Sequence, residues 1–230
     1  MNSIKKLGVL IVLVVAFSCD TDNAIDCLKT SGSTVVESFE VDPFDKITVF
    51  DGVKLIVQQG AITQVSVETG SNLLSDIAVS VEQGRLSLRN KNTCNLFRSF
   101  ENTIVRVTTP TLTELRNASG FTVESDGVLA FPQLLLLSED FNFEEEISTT
   151  GNFDLALQVD NLRIVSNNLS TFFLQGSATQ AEFSSFSGDG RIFAEQLLID
   201  ELKVFHDAIS SRKIFYATLK NDVYIASQPH

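Results

Sequence analysis

From Phe44 to Thr109 apolar and polar residues alternate with a period of two. Ile47 and Val49, then Val53, Leu55 and Val57, then Val65 and Val67, then Ile77, Val79 and Val81, then Leu86 and Leu88, and finally Val105 and Val107 fall on one side of extended strands whose other side is polar. Asp51-Gly52 and Gln83-Gly84 each separate two such runs by two residues. Glycine in the second place suits tight hairpin turns, which need positive φ. The pattern predicts antiparallel strands over 44–109 with one buried and one wet face. Ser71 to Asp76 and Asn90 to Glu101 interrupt the alternation with turn formers.

Pro110 marks a change of texture. The apolar runs then lengthen, as in Leu134 to Leu137, Leu197 to Ile199 and Ile214 to Tyr216, which fits strands buried on more than one side. A short pattern of small polar turn formers between two apolar runs returns about every twenty residues. Its clearest copy is Phe186-Ser187-Gly188-Asp189-Gly190-Arg191-Ile192-Phe193; weaker copies start at Ala118, Ser138, Ser166 and His206. Aligned on these turns, the units begin near Leu115, Leu135, Leu162, Ala181 and Leu202, with Val223 opening a truncated one. A unit that cannot bury its own apolar face predicts a β-helix, or solenoid, with rungs of about twenty residues over 110–229. The longer step from Leu135 to Leu162 places an insertion at Asn142 to Asn152, a candidate binding loop that carries Glu144, Glu145 and Glu146. Phe121, Phe141, Phe153, Phe172, Phe186, Phe193, Phe205 and Phe215 are expected to stack inside successive rungs. A meander or sandwich with similar strand lengths is the alternative.

The first residues bear on address rather than fold. A basic start ending in Lys5-Lys6, an apolar run from Leu7 to Phe17 too short to span a bilayer, and Ser18-Cys19 after it have the form of a bacterial lipoprotein signal. Residues 1–18 would then be removed and Cys19 lipidated; an ordinary secretory peptide cut nearby is the alternative. The polar stretch 19–36 reads as a tether, and 37–230 as a single domain with an ordered start near Glu37. The formal charge of −12 becomes −14 once Lys5 and Lys6 leave. Such a surface repels phosphate backbones, so nucleic acid is not an expected partner.

Cys27 and Cys94 remain after lipidation of Cys19, and an exported chain meets an oxidising compartment, so the pair is expected to be a disulfide. A two-cysteine metal site would lack nearby ligands. The 18 Phe, 2 Tyr and absent Trp suggest aromatics used as interior filling. His206 and His230 are the only histidines, and Asp207 beside His206 does not make a general base without an oriented partner and a pocket. Ser187-Gly188-Asp189-Gly190 lacks the lysine of a phosphate loop. Glu139, Asp140 and Glu144 to Glu146 offer oxygen ligands suited to calcium, but at no recognisable spacing, and a solvated acidic loop is the simpler reading. No catalytic residue, metal ligand set or cofactor is assigned.

Several segments together resemble a known family, the putative autotransporter adhesin, head GIN domain, a domain of unknown function in exported bacterial proteins. They are Phe44-Asp45-Lys46-Ile47-Thr48-Val49, Val53 to Gly60, Asn72-Leu73-Leu74, Gly84-Arg85-Leu86-Ser87-Leu88, Val105-Arg106-Val107 with Pro110-Thr111-Leu112, the Ser-Gly-x-Gly turn at Ser187 to Gly190, and Val223-Tyr224-Ile225 before Pro229. Cys27, and Cys94-Asn95 with Arg98, match a subset that carries cysteines at these places. The resemblance implies a β-helix-like domain on an envelope-anchored protein.

The expected function is a non-enzymatic binding, adhesion-like or structural module. It would be held by lipid in the cell envelope, at the outer membrane of a Gram-negative bacterium, and engage a glycan or protein ligand. A polysaccharide-active β-helix enzyme and a periplasm-facing assembly partner are the competing readings. Missing Trp and scarce clusters of Arg, Lys and His weigh against the enzyme.

Overall fold

The computed structural model describes residues 29–92, 103–140, 148–167, 169–206, 215–219 and 224–226. Their strands are β1 (Thr34–Phe39), β2 (Lys46–Phe50), β3 (Lys54–Gln59), β4 (Gln64–Gly70), β5 (Ile77–Glu82), β6 (Arg85–Asn90), β7 (Ile104–Thr109) and β8 (Glu114–Ala118). They continue as β9 (Val123–Leu129), β10 (Gln133–Ser138), β11 (Phe153–Ser166), β12 (Thr171–Ser185), β13 (Arg191–His206), β14 (Phe215–Leu219) and β15 (Tyr224–Ala226). A 3-10 turn, Leu74–Asp76, precedes β5. The class is all-β, as the alternation implies.

All the strands belong to one mixed sheet, whose main path runs β1-β4-β7-β3-β9-β11-β10-β8-β2-β6-β5. The long strand β11 joins its two arms. The stretch Phe153 to Leu157 pairs with β9, and Asn161 to Ser166 pairs with β10. Strands β12 and β13 continue β11 in parallel. The sheet curls into a nearly closed barrel around one core.

Alternation accounts for that core. Ile47 pairs with Leu86 on one side and Leu115 on the other, and Leu115 pairs with Leu136; all four are fully buried. On the other arm Val65, Val107 and Val57 lie in one row. Each such side chain contributes about 1.5–3 kcal/mol relative to exposure. Between β11 and β12 the buried rings of Phe153 and Phe172 stack with centroids 4.7 Å apart and planes 6° from parallel.

The region 44–109 is mixed, not antiparallel as expected. Gln83-Gly84 does form the hairpin, with φ of 50° and 75° at its two residues and β5 antiparallel to β6. Asp51-Gly52 does not. β2 runs parallel to β6 and β8, and β3 parallel to β7 and β9. Positive φ at Gly52, 79°, turns the chain from one arm of the sheet to the other, and a turn dipeptide specifies the bend without specifying the partner.

The expected repeat registers in part. Leu162, Ala181 and Leu202, aligned on the turns of the sequence, are register partners. A uniform rung of about twenty residues is not maintained. Register shifts interrupt the pairing at Asp154/Ala156, Phe173/Gln175 and Ala194/Leu198, and Leu134 pairs directly with Leu162 across the excursion that follows β10. The phenylalanine column also differs from expectation. Phe186 is exposed, Phe121 and Phe205 are half-buried, and Phe193 stands on the outer face. Phe141 and the side chain of Phe215 lie outside what the structure describes. β1 runs through Glu37, and Lys29 ahead of it lies 2.9 Å from Asp76.

Candidate functional site

Alternation turns the polar residues of β4, β7 and β3 outward, and pairing sets them in rows. Ser38 on β1 pairs with Ser66 on β4, Ser66 with Arg106 on β7, Arg106 with Ile56 on β3, and Ile56 with Glu124 on β9. A second row runs Gln64, Thr108, Gln58. With Phe39, Glu40 and Val41 at the end of β1 and Asp126 on β9, all of these side chains except Glu124 line a groove of about 730 Å³.

The groove is rich in neutral donors and acceptors. Thr108 Oγ1 donates to Gln58 Oε1 at 3.3 Å. Arg106 Nη2 lies 3.7 Å from Glu68 Oε2, both side chains being well exposed. That separation is an ion contact and too long for a hydrogen bond, so the guanidinium fork keeps donors for a ligand. Lys54 is held at the edge by Glu124 at 2.8 Å. The arrangement can bind a molecule presenting several hydroxyl or carbonyl groups beside a small apolar face. His206 ends β13, and its side chain and His230 are outside what the structure describes.

Cys19, Cys27 and Cys94, and the loop residues Glu144, Glu145 and Glu146, lie outside the described residues. Of the acidic cluster, Glu139 is buried and engaged by Arg116 at 2.6 Å, while Asp140 accepts a hydrogen bond from Asn167 Nδ2 at 2.5 Å. Glu139 is thus spent on an internal ion pair and is not a surface ligand. The base of the insertion is tied down by Ser170 Oγ, which donates to the Thr149 carbonyl at 2.7 Å and lies 2.5 Å from Ser138 Oγ. Among the described residues no three of His, Cys, Asp or Glu are grouped to hold a metal ion. Arg106 was legible only as an outward position between Val105 and Val107; the neighbours that make it a groove come from strands far away in the chain.

The family model described as "Putative auto-transporter adhesin, head GIN domain" matches residues 43–228. The chain belongs to this family. A crystal structure of a "putative adhesin" from Bacteroides fragilis resembles this head GIN chain with a TM-score of 0.72 at 20% identity, covering 86% of each chain. That of a "putative lipid binding protein" from Parabacteroides distasonis gives 0.57 at 17% identity, covering 85% of this chain and 93% of its own. At these identities the likeness concerns the fold. No curated protein matches the sequence.

Proposed function

We propose that this head GIN chain is a non-enzymatic binding module of the cell envelope, anchored by lipid on Cys19, which takes a glycan into the groove around Arg106. The observation that carries this is the in-register row Ser38, Ser66, Arg106, Ile56 across four strands, which presents hydroxyl, guanidinium and apolar groups side by side. A sugar offers the complementary alternation of hydroxyls and C–H faces. The family's adhesin description and the names of the structural neighbours support binding over chemistry. Across β11, β12 and β13 the register of Leu162, Ala181 and Leu202 keeps a local repeat within the barrel. Rigid stacked strands keep such a surface preorganised, which lowers the entropic cost of binding. Glu144, Glu145 and Glu146 would border the ligand from the insertion loop, and the partners are the membrane, through lipid, and the glycan.

A glycan array with the mature protein tests this, followed by turnover assays on every hit. Binding that Arg106→Ala lowers at least tenfold, with the glycan returned intact, is the expected result. Cleavage of a bound polysaccharide moves the chain to the enzyme reading. An empty array together with retention of the Cys19→Ser variant, which lacks the anchor, on phospholipid vesicles transfers to this chain the lipid-binding description of the Parabacteroides distasonis protein.

A further inference from the structure

A second outward column, separate from the Arg106 groove, carries different chemistry. Asp154 on β11 pairs with Phe173 on β12, and Phe173 with Phe193 on β13. The two rings stack on the outer face, with centroids 5.4 Å apart and planes 7° from parallel, and Phe173 is 44% exposed. This runs against the expectation that the aromatics fill the interior. One face of the Phe173 ring is taken by Phe193. Its other face looks toward β11, a strand spacing of about 4.8 Å away. There the register position holds the short Asp154 instead of another ring. The result is a groove of about 410 Å³ lined by the two phenylalanines, Asp154, Gln175, Glu195 and Gln196.

The electrostatics of the groove are one-sided. Neither Asp154 nor Glu195 makes an ion pair among the described residues. On the opposite arm the acids are matched: Arg163 Nε lies 2.9 Å from Glu182, and Gln180 Nε2 donates to Glu201 at 3.3 Å. An aromatic face is the negative side of the ring quadrupole, and a cation above it gains further from a carboxylate at its edge. The formal charge of −12 adds a long-range field of the same sign.

We propose that this groove receives a basic side chain, lysine or arginine, from a partner protein, with the cationic head over the free face of Phe173 and against the Asp154 carboxylate. Gln175 and Gln196, exposed register partners in the groove lining, supply amide groups for the backbone on either side of that residue. A peptide chain is favoured over a cationic sugar because Leu198, 45% exposed further along β13, extends the apolar contact in the strand direction. This site does not depend on the glycan reading, since it lies on other strands and takes a ligand of opposite character.

The test is calorimetric titration of the full mature chain in detergent with hexalysine peptide, with Phe173→Ala, Asp154→Asn and, as a control for general acidity, Glu37→Gln on the exposed far-edge strand β1. Phe173 and Asp154 are both exposed, so their variants should fold, which circular dichroism checks. The expected result is a loss of about fivefold or more in affinity for Phe173→Ala and for Asp154→Asn, with Glu37→Gln unchanged. Equal losses in all three variants, or none, mean diffuse attraction to an acidic surface and overturn the proposal. So does binding of chitosan oligosaccharide with no binding of hexalysine. Loss of glycan binding in Arg106→Ala leaves this outcome untouched, so the two sites fail or succeed separately.

Discussion

Arg116 and Glu139 meet at 2.6 Å inside the protein, with 10% and 4% of their side chains exposed, and Arg116 also donates to the Glu139 carbonyl at 2.9 Å. β8 carries the arginine, and Glu139 directly follows β10 where the chain leaves for the insertion. The pair therefore fixes the departure point of the insertion against a neighbouring strand. Removing one partner takes the closest opposite charge from a buried group. Glu139→Gln should cost about 3–5 kcal/mol of unfolding free energy, whereas the double change Arg116→Leu with Glu139→Leu should recover most of it. Denaturant titrations of the unaltered protein and the two variants measure both terms. A double variant no better than the single would mean that the pair contributes through its hydrogen bonds and not through its charges.

Two adjacent phenylalanines should behave in opposite ways. Phe172 is fully buried against Phe153, and Phe173 is on the outer face. Phe172→Ala leaves a cavity and is expected to destabilise by about 3–5 kcal/mol, while Phe173→Ala should stay within about 1 kcal/mol. Similar costs for the two would mean that the register of β12 differs by one residue, since a one-residue slip exchanges the faces.

Gly176 sits in the run of β12 with φ of 108°, and a Cβ there would overlap the carbonyl oxygen of Leu157 on the neighbouring strand. Both terms exclude a side chain. Gly176→Ala is expected to lower stability by more than about 2 kcal/mol and to shorten the half-life toward protease. Gly127, also at positive φ but with open space around its Cβ position, is the matched comparison and should cost less. Thermal melts of the pair separate close approach from backbone conformation.

What the sequence makes legible here is local. Gln83-Gly84 announces its hairpin because everything the turn needs lies within two residues, and Leu162, Ala181 and Leu202 announce their register because their strands follow one another in the chain. Partners distant in sequence leave no such mark. Ile47 neighbours Leu115 and Leu86, and Arg106 neighbours Ile56, through parallel pairings that no period along the chain encodes. The outward phenylalanines were hidden for a related reason. In Thr171-Phe172-Phe173-Leu174 three apolar residues stand in a row, so period two cannot say which ring faces in; the buried neighbours decide it. The Arg106 groove, assembled from five strands, was therefore out of reach, although Ile56, Gln58, Gln64, Ser66, Arg106 and Thr108 occupy outward positions that the alternation does predict.

The lipid anchor is tested at Cys19. Cys19→Ser should move the protein from the detergent phase to the aqueous phase in a phase-separation assay while leaving its melting temperature unchanged, because the residue precedes the sheet that begins at Thr34. Unchanged partition would replace lipidation by cleavage of an ordinary secretory peptide. Protease accessibility on intact cells then reports whether the anchored domain faces outward or into the periplasm.

The last prediction concerns Cys27 and Cys94, the pair left for an oxidising compartment once Cys19 carries lipid. Their neighbours in the structure give the bond a physical task. Lys29, close after Cys27, is buried against Asp76 at 2.9 Å, and Asn92, close before Cys94, donates through Nδ2 to the same Asp76 oxygen at 3.2 Å. Both chain segments thus converge on one carboxylate. A bond between Cys27 and Cys94 would close a loop of roughly seventy residues and restrict the unfolded chain by about 4 kcal/mol in the loop-closure model. Mass analysis after alkylation, with and without reductant, should find two thiols only after reduction. Reductant or Cys27→Ser should then lower stability by about 2–4 kcal/mol, and Asp76→Asn should weaken the hold on both segments with the bond still intact. Two free thiols in unreduced protein would show that the Asp76 contacts alone fasten the segment leading into β1.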